Sequence, residues 1–496
     1  MTSVKIGVLS GAAAGAAAAL FELLLRSFAG IATPSELIAD RTLPMVPVNT
    51  FLSLLVRMGG PIQAKELAYW GGFAGVVAAG AAAGLVWSRL SARPRGGRIA
   101  VAALALFTAV VIVLLWPVLD SAYAGLPPSA ATATTVIALA LTVALAAALI
   151  RAFSGGAADG VDSGRRQLLV AGVGLALLAA TGGLALRLFG AGTFGYDGMR
   201  LFARNGRQTI TPVGDFYSVT KNLVDPDVNA SLWRLEVMGD VANPYTLTLE
   251  ELRALGTTTQ ETTLECISNG VAYGLLSNGL WGGVPLPALL DRARPGRGAR
   301  FLLLQSADGY LYSLPFERAL KERILIAHSL NGEALPPRHG APARAVVPGM
   351  YGEASAKWLT RITVLESDEP GYYELQGWRA EFVHTTAVID HPVRGQLLQA
   401  GDRITLRGAA FAGDRGVSRV EFSAESGASW LPARLDYAPS PLAWALWSAD
   451  WMPVSKGTAS LTVRAYDGTG APQEPVRHGT VPAGATGLHQ VDVQIG

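Results

Sequence analysis

The chemistry of this chain centres on one thiol. Cys266 is the only cysteine among 496 residues, so no intramolecular disulfide is available. A zinc or iron–sulfur site built from several thiolates is excluded for the same reason. A lone cysteine is ordinarily a small buried hydrophobe, but the surroundings of this one point elsewhere. Thr263-Leu264-Glu265 approaches it as a strand would, and the chain then breaks into Ser268, Asn269 and Gly270. Such a break opens a loop that can face a ligand. A second polar stretch follows closely, Ser277-Asn278-Gly279, leading into Trp281-Gly282-Gly283-Val284.

Other groups that could bind or polarise a ligand are scattered downstream. Asn331-Gly332-Glu333 leads through His339-Gly340 to Arg344 in a run too rich in Pro and Gly for a regular element. A guanidinium such as that of Arg344 binds phosphate through two parallel hydrogen bonds, whereas Lys357 would act as a point charge. The ordinary alternative is that both cations pair with carboxylates such as Glu333 or Glu353. Upstream, Phe216-Tyr217-Ser218 and Lys221-Asn222 precede Asp225-Pro226.

The elements that must position these groups fall into two halves. Half of the chain is hydrophobic and 16% is charged, against about 25% in a typical soluble domain. The deficit lies in the first 190 residues. Apolar runs at 6–26, 67–89, 99–119, 131–150 and 168–190 each reach the ~20 residues that span a bilayer. Arg89, Arg93, Arg95 and Arg98 follow the second run, and Arg151, Arg165 and Arg166 follow the fourth. The connection at 120–130 carries no positive charge. Positive-inside bias therefore puts the N-terminus in the cytoplasm and everything after residue 190 outside.

Arg165-Arg166 also resembles a twin-arginine export signal, a receptor-read address, as well as reading as two positive-inside anchors. Glu22 and Arg26, one turn apart in the first run, are placed to pair with each other. The 29–66 stretch is too long for a tight connection and is expected to pack under the soluble part. All six histidines lie at or after His328, which leaves no axial ligands for a haem between the spans. A net charge of +2 with no basic stripe argues against nucleic acid.

Beyond residue 190 a polar stretch at 191–215, including Arg204-Asn205, reads as a linker. Strands are expected at Trp233–Val237, Arg300–Ser306 and Ile324–Ala327. Short helices are expected after Thr248 (an N-cap followed by Glu250 and Glu251), at Pro287–Ala293 and at Phe316–Leu320. Such mixing suggests an α+β domain. From residue 386 short strands at Ile404–Arg407, Val417–Ser423, Ala443–Ser448 and Leu461–Tyr466 read as an all-β sandwich.

Over residues 210–480 these landmarks together resemble the sulfite oxidase family of molybdopterin-dependent oxidoreductases, including the periplasmic methionine-sulfoxide reductases on the same catalytic fold. The carriers are Phe216-Tyr217 to Pro226, Cys266 to Val284, Asn331 to Arg344, and Ser355-Ala356-Lys357-Trp358-Leu359, in the family's order. The apolar runs make 1–190 a five-helix transmembrane domain, and the resemblance implies a sulfite-oxidase-like molybdopterin domain at 191–385 and an immunoglobulin-like dimerisation sandwich at 386–496. It implies that Cys266 ligates molybdenum held otherwise by the pterin's two sulfurs. Arg344, Lys357 and His339 would clamp the pterin phosphate, and Tyr217, Ser218, Lys221, Asn222, Ser306, Ser355 and Ala356 would hold the rest. Tyr310 would donate to substrate near the metal.

One departure bears on the substrate. Sulfite oxidases follow the ligand cysteine with arginines, but here Ile267, Ser268, Asn269, Gly270 and Val271 follow it. Sulfite is therefore one candidate beside other oxyanions, sulfoxides and N-oxides. With neither Cys-x-x-Cys-His nor further cysteines, electrons must pass to a separate carrier: a cytochrome, a quinone or a soluble protein. The implied activity is outward-facing, membrane-anchored oxygen-atom transfer. The competing reading is a non-catalytic envelope scaffold that retains a degenerate cofactor fold.

Overall fold

The computed structural model describes all residues except Met1, Ala92, Pro94, Ala122, 155–162, Ala191, 193–206, Glu322, Ala380 and Glu381. Arg204-Asn205 and most of the expected linker lie outside the described residues, as does the side chain of Arg166.

Among the described residues, seven α-helices occupy the first 190 positions: α1 (Thr2–Ala29), α2 (Pro34–Thr42), α3 (Val48–Arg57), α4 (Pro61–Leu90), α5 (Gly96–Leu115), α6 (Pro128–Ser154) and α7 (Ser163–Gly190). Five of the helical segments are long and apolar enough to cross a membrane, Val4–Ala29, Pro61–Leu90, Gly96–Val118, Pro128–Ser154 and Gln167–Gly190. They contain the five expected runs, with Leu119 just past one end, and most extend further because propensity continues past the strictly apolar core. The first is the most buried. It is Ala-rich, with Ala13, Ala14, Ala16 and Ala19 covered, and small side chains let neighbouring backbones approach closely.

The α1–α4 and α5–α6 connections both meet the domain that follows residue 206. Gln376 Nε2 donates to Leu43 O at 3.1 Å, and the Asn229 N–H donates to Ala124 O at 3.2 Å. The 29–66 stretch thus packs under the soluble part, as its prolines suggested. Arg93 and Arg95 lie at the opposite end of α4, a helix length of ~45 Å away. Arg26 does not pair with Glu22. Its Nε donates to Glu36 at 3.1 Å, because the capping box that starts α2 on Thr33 brings Glu36 across. Glu22 instead faces Thr135 and Thr142 of α6.

Two sheets build the next domain. In the first, β1 (Leu235–Gly239) lies between β2 (Tyr245–Leu247) and β10 (Leu359–Leu365), followed by β5 (Phe301–Ser306) and β6 (Leu311–Pro315). In the second, β3 (Thr258–Glu265) pairs with β4 (Leu276–Pro285), β4 with β7 (Leu325–Leu330), and β7 with both β8 (Glu333–Ala334) and β9 (Arg344–Val346). Helix α8 (Leu249–Ala254) starts on a full capping box between Thr248 and Glu251, and α9 (Leu286–Ala293) inserts Leu289 and Leu290 into the core. α10 (Phe316–Ala319) and α11 (Tyr372–Gln376) are single turns. Trp233, Leu235, Leu304, Leu359 and Ile362 share the core with α9.

The C-terminal strands are β11 (Thr386–His391), β12 (Leu397–Leu398), β13 (Ile404–Phe411), β14 (Val417–Ser423), β15 (Leu431–Tyr437), β16 (Ala445–Trp451), β17 (Gly457–Asp467) and β18 (His489–Ile495). The expected pair of stacked sheets is one continuous eight-stranded sheet, ordered β11-β13-β16-β15-β14-β17-β18-β12, that curls over its own core. Backbone pairing of β14 with β15 joins the two halves. Leu406, Phe422, Trp447, Val463 and Val493 fill the space between them.

Candidate functional site

Cys266 stands where β3 ends. Its N–H donates to Leu275 O at 3.0 Å, and its carbonyl accepts from the Asn269 N–H at 2.9 Å. Asn269 closes the loop from both sides. Its Nδ2 donates to Glu265 Oε1 at 2.8 Å and its Oδ1 accepts from the Leu275 N–H at 3.0 Å. The strand-then-break pattern therefore has a mechanical cause, an Asn-centred loop that leaves the sulfur at a strand end. Cys266 Sγ lies 3.0 Å from Ser268 Oγ. Burial pushes its thiol up to about 11, partly offset by Ser268.

Tyr217 enters from the preceding segment, its N–H donating to Ser277 Oγ at 3.0 Å. A Cβ at Gly352 would collide with the Tyr217 hydroxyl, which places that hydroxyl against the 352–354 turn. Burial, then the nearby Cys266, hold its phenol well above the ordinary range.

Arg344 is buried without a carboxylate. Its Nη2 donates to Ser355 O at 2.7 Å, Nη1 to His339 O at 3.1 Å and Nε to Ala345 O at 3.2 Å. Burial lowers its pKa to about 10. Lys357 behaves alike: Nζ donates to Arg338 O at 3.2 Å and approaches Ser218 Oγ at 3.5 Å. Burial brings it down to about 8. Gly340 makes this convergence possible. At φ +102° it turns the chain so closely that a Cβ would lie 2.9 Å from Lys357 Cβ and 3.1 Å from Arg344 Cβ.

His339 donates from Nε2 to Val213 O at 3.2 Å, leaving Nδ1 free to accept. Burial, Arg344 and Lys357 push it down to about 3, so the ring is neutral at any physiological pH. Glu333 and Glu353, the carboxylates of the ordinary alternative, bond to neither cation. Glu353 lies near Cys266, with its Oε2 buried and without a partner. Burial, then Glu374, raise it to about 8.

Cys266, Tyr217, Ser218, His339, Arg344, Ser355, Ala356 and Lys357 therefore converge. Ser355 contributes its carbonyl, since its hydroxyl accepts from the Val347 N–H at 3.0 Å. Ala356 is buried and its carbonyl accepts from the Ala345 N–H at 2.9 Å, joining the last loop to the Arg344 strand. Ser306 is buried with no partner for its hydroxyl.

Three other expected residues are engaged elsewhere. Lys221 Nζ donates to Asp40 Oδ1 at 2.5 Å and to Asp308 O at 2.9 Å. Asn222 Nδ2 donates to Asp308 Oδ2 at 2.9 Å. The Tyr310 hydroxyl donates to Glu353 O at 2.8 Å, so its one proton is not directed at a ligand. Trp281 and Trp358 are core residues, with Nε1–H groups satisfied by Thr262 O and Pro337 O.

A cavity of about 350 Å³ opens between the loop after Cys266 and the C-terminal domain. Val271 lines it with Arg394, Arg477, His489 and Asp492. Burial and the three neighbours Arg394, Arg207 and Arg477 push His489 down to about 4. Neither Arg394 nor Arg477 pairs with a carboxylate among the described residues. No sequence signal brings these two arginines to the post-cysteine loop, because the approach depends on how the domains pack. Glu265 and Glu353 were also not legible as site groups; each reads locally as an ordinary polar position of a strand or loop.

Two cations without carboxylates, the buried Arg344 and the partly buried Lys357, suit a phosphate, and a single thiol stands nearby; His339, its N–H spent on Val213 O, offers only an acceptor and cannot donate to that phosphate as expected. No group of three or more His, Cys, Asp or Glu among the described residues could hold a metal ion. A metal at Cys266 would thus draw its other ligands from outside the chain.

Comparison with known proteins agrees with this geometry. The family model described as "Oxidoreductase molybdopterin binding domain" matches residues 222–373, and "Mo-co oxidoreductase dimerisation domain" matches 380–479. The sulfite oxidase of Gallus gallus is 30% identical over 297 residues, covering 50% of this chain and 64% of that protein. The nitrate reductase [NADPH] of Beauveria bassiana is 29% identical over 262 residues, covering 43% and 29%. The chain therefore spans less than two thirds of the length of either relative. The sulfane dehydrogenase SoxCD of Paracoccus pantotrophus shares the fold, with a TM-score of 0.52 at 24% identity over 59% of this chain and 83% of that one.

Proposed function

The chain belongs to the sulfite oxidase family of molybdopterin-dependent oxidoreductases, and from that premise we propose that it is a membrane-anchored enzyme of two-electron oxygen-atom transfer. The observation that carries this reading is the Arg344–Lys357 pair, a buried and a partly buried cation held against backbone carbonyls beside the neutral His339. Burying cations without a counter-charge is costly, and an anionic ligand offsets that cost. Arg344 and Lys357 would take the pterin phosphate, with Ser218, Ser306 and Tyr217 on the pterin itself and Cys266 on the metal. The bound molybdenum supplies the redox and oxygen-transfer chemistry.

The chain's own groups do the rest. Tyr217 and the Asn269-closed loop fix the sulfur. His339 Nδ1 accepts a proton donor of the ligand and keeps its own ring neutral. Glu353, nearer neutral pH than an exposed carboxyl, can hold a proton beside the thiol. Tyr310 fixes the backbone of Glu353 and does not reach for substrate. Arg394 and Arg477, at the cavity lined by Val271, replace the positive charge missing after Cys266. They favour an anionic substrate such as sulfite or an acidic sulfoxide. A scaffold that had lost the cofactor would gain nothing by keeping Arg344 and Lys357 buried.

The domains are assigned as 1–190, 191–385 and 386–496, the last a curled eight-stranded sheet that forms the homodimer face. Arg93, Arg95 and Arg165 on the far side from the cofactor domain support an extracytoplasmic active site. A twin-arginine route through Arg165-Arg166 suits an enzyme folded around its cofactor before export. Electrons then pass to a separate cytochrome, quinone or soluble carrier. The test is an activity screen of the molybdenum-loaded full chain with sulfite, sulfoxides and N-oxides and an artificial electron carrier. Turnover of at least one is expected; a loaded enzyme that turns over none contradicts the reading.

A further inference from the structure

The segment just after Tyr217-Ser218 is gripped by the helical module from three sides. Lys65, near the start of α4, donates Nζ to Asn222 O at 2.8 Å and to Thr220 O at 3.1 Å. Arg26, near the end of α1, donates Nη2 to Val224 O at 2.8 Å. Asp40, in α2, accepts from Lys221 Nζ at 2.5 Å. Leu223 and Val224 pack against Leu23, Tyr69 and Ala185 of the same module. Backbone carbonyls at 220, 222 and 224 are thus satisfied by side chains that sit more than 150 residues away in sequence.

Such an arrangement exceeds what an anchor needs. A tether holds a domain through a linker and leaves its surface wet. Here an irregular segment has its carbonyls at 220, 222 and 224 capped by two cations, and its one ammonium is neutralised by an anion of the module. Removing one partner of a buried pair leaves the other charge uncompensated. The opposite end of the segment is the cofactor cradle, where Ser218 stands 3.5 Å from Lys357 Nζ.

We propose that Arg26, Asp40 and Lys65 are positioning residues of the helical module that hold segment 217–224 in the geometry that retains the pterin. This rests on the pterin reading of the Arg344–Lys357 cradle. The membrane module then acts as one wall of the cofactor domain, and separating the two loosens the cofactor's grip.

The test uses the full chain in detergent with two near-isosteric changes, Asp40→Asn and Lys65→Met, and Asp40→Glu as the conservative control. Amide hydrogen exchange across 216–224 in the metal-free protein reads the clamp without the cofactor. Faster exchange there is expected in both the Asp40→Asn and the Lys65→Met proteins, with exchange in β13–β17 unchanged and Asp40→Glu close to wild type. Unchanged exchange at 216–224 overturns the clamp. Release of the pterin from loaded protein, followed by its fluorescence, should be roughly tenfold faster in the two variants. Equal release rates beside altered exchange overturn the link to cofactor retention. A wild type that carries no pterin when expressed with molybdate refutes the cofactor reading, while the exchange result still decides the clamp.

Discussion

The Arg344 guanidinium lies over the Trp281 ring, 5.1 Å from its centroid. Trp281 is fully buried and is pinned through its Nε1–H to Thr262 O at 3.1 Å, so the cation rests on a fixed aromatic floor. Stacking and three carbonyl bonds orient the planar fork, which a lysine cannot reproduce.

Arg344→Lys should therefore act as a loss. Each carbonyl left without a donor costs about 1–3 kcal/mol when buried. The expected outcome is a fall in bound pterin of about tenfold or more, read as pterin fluorescence per protein, with the protein still folded by circular dichroism.

Lys357 makes pH informative. Its folded pKa of about 8 lies below the 10.5 of an ordinary lysine, chiefly from burial. The unfolded chain thus binds this proton more tightly, and the lysine's contribution to the stability of the cofactor-free protein rises with pH from about 8 towards 10.5. Affinity for the pterin phosphate moves the other way, since the ammonium is lost above about 8. The difference between wild type and Lys357→Met, between about pH 7 and 9, should have opposite slopes in thermal unfolding and in pterin rebinding, since Glu353, raised to about 8, titrates in both proteins and cancels in that difference.

Arg394 and Arg477 should matter to substrate alone. Arg394→Gln with Arg477→Gln should raise KM for an anionic substrate by about tenfold, leave kcat nearly unchanged and leave a neutral sulfoxide unaffected. Loss of kcat with both substrates would place these residues in a structural role.

Tyr310→Phe separates two roles for its hydroxyl. Because that hydroxyl donates to Glu353 O, removing it should cost about 1 kcal/mol of stability and leave KM unchanged. A large rise in KM would restore a direct substrate contact.

Local patterning made much of this legible. The strand that ends at Cys266, the capping box on Thr248 and the five apolar runs all leave periodic or positional traces. The irregular stretch to Arg344 was recognisable because so many prolines and glycines rule out a regular element. Long-range pairing leaves no such trace. Lys221 looks free beside Tyr217 until α2 brings Asp40 across, and Asn222 until Asp308 meets its amide. Glu22 sits one turn from Arg26, yet the capping box on Thr33 delivers Glu36 instead. Strand β15, where Leu431, Ala433, Leu435 and Tyr437 alternate with Pro432, Arg434 and Asp436, was not among the expected strands, and its pairing with β14 and β16 is the seam that turns two expected sheets into one. Arg394 and Arg477 reach the post-cysteine loop through domain packing, which no local signal encodes.

The most direct test is X-ray absorption at the molybdenum edge of the loaded full chain, wild type against Cys266→Ser. The account predicts that the serine protein keeps its pterin but loses one sulfur from the metal's first shell. An unchanged sulfur shell, with equal metal and pterin content, would contradict it.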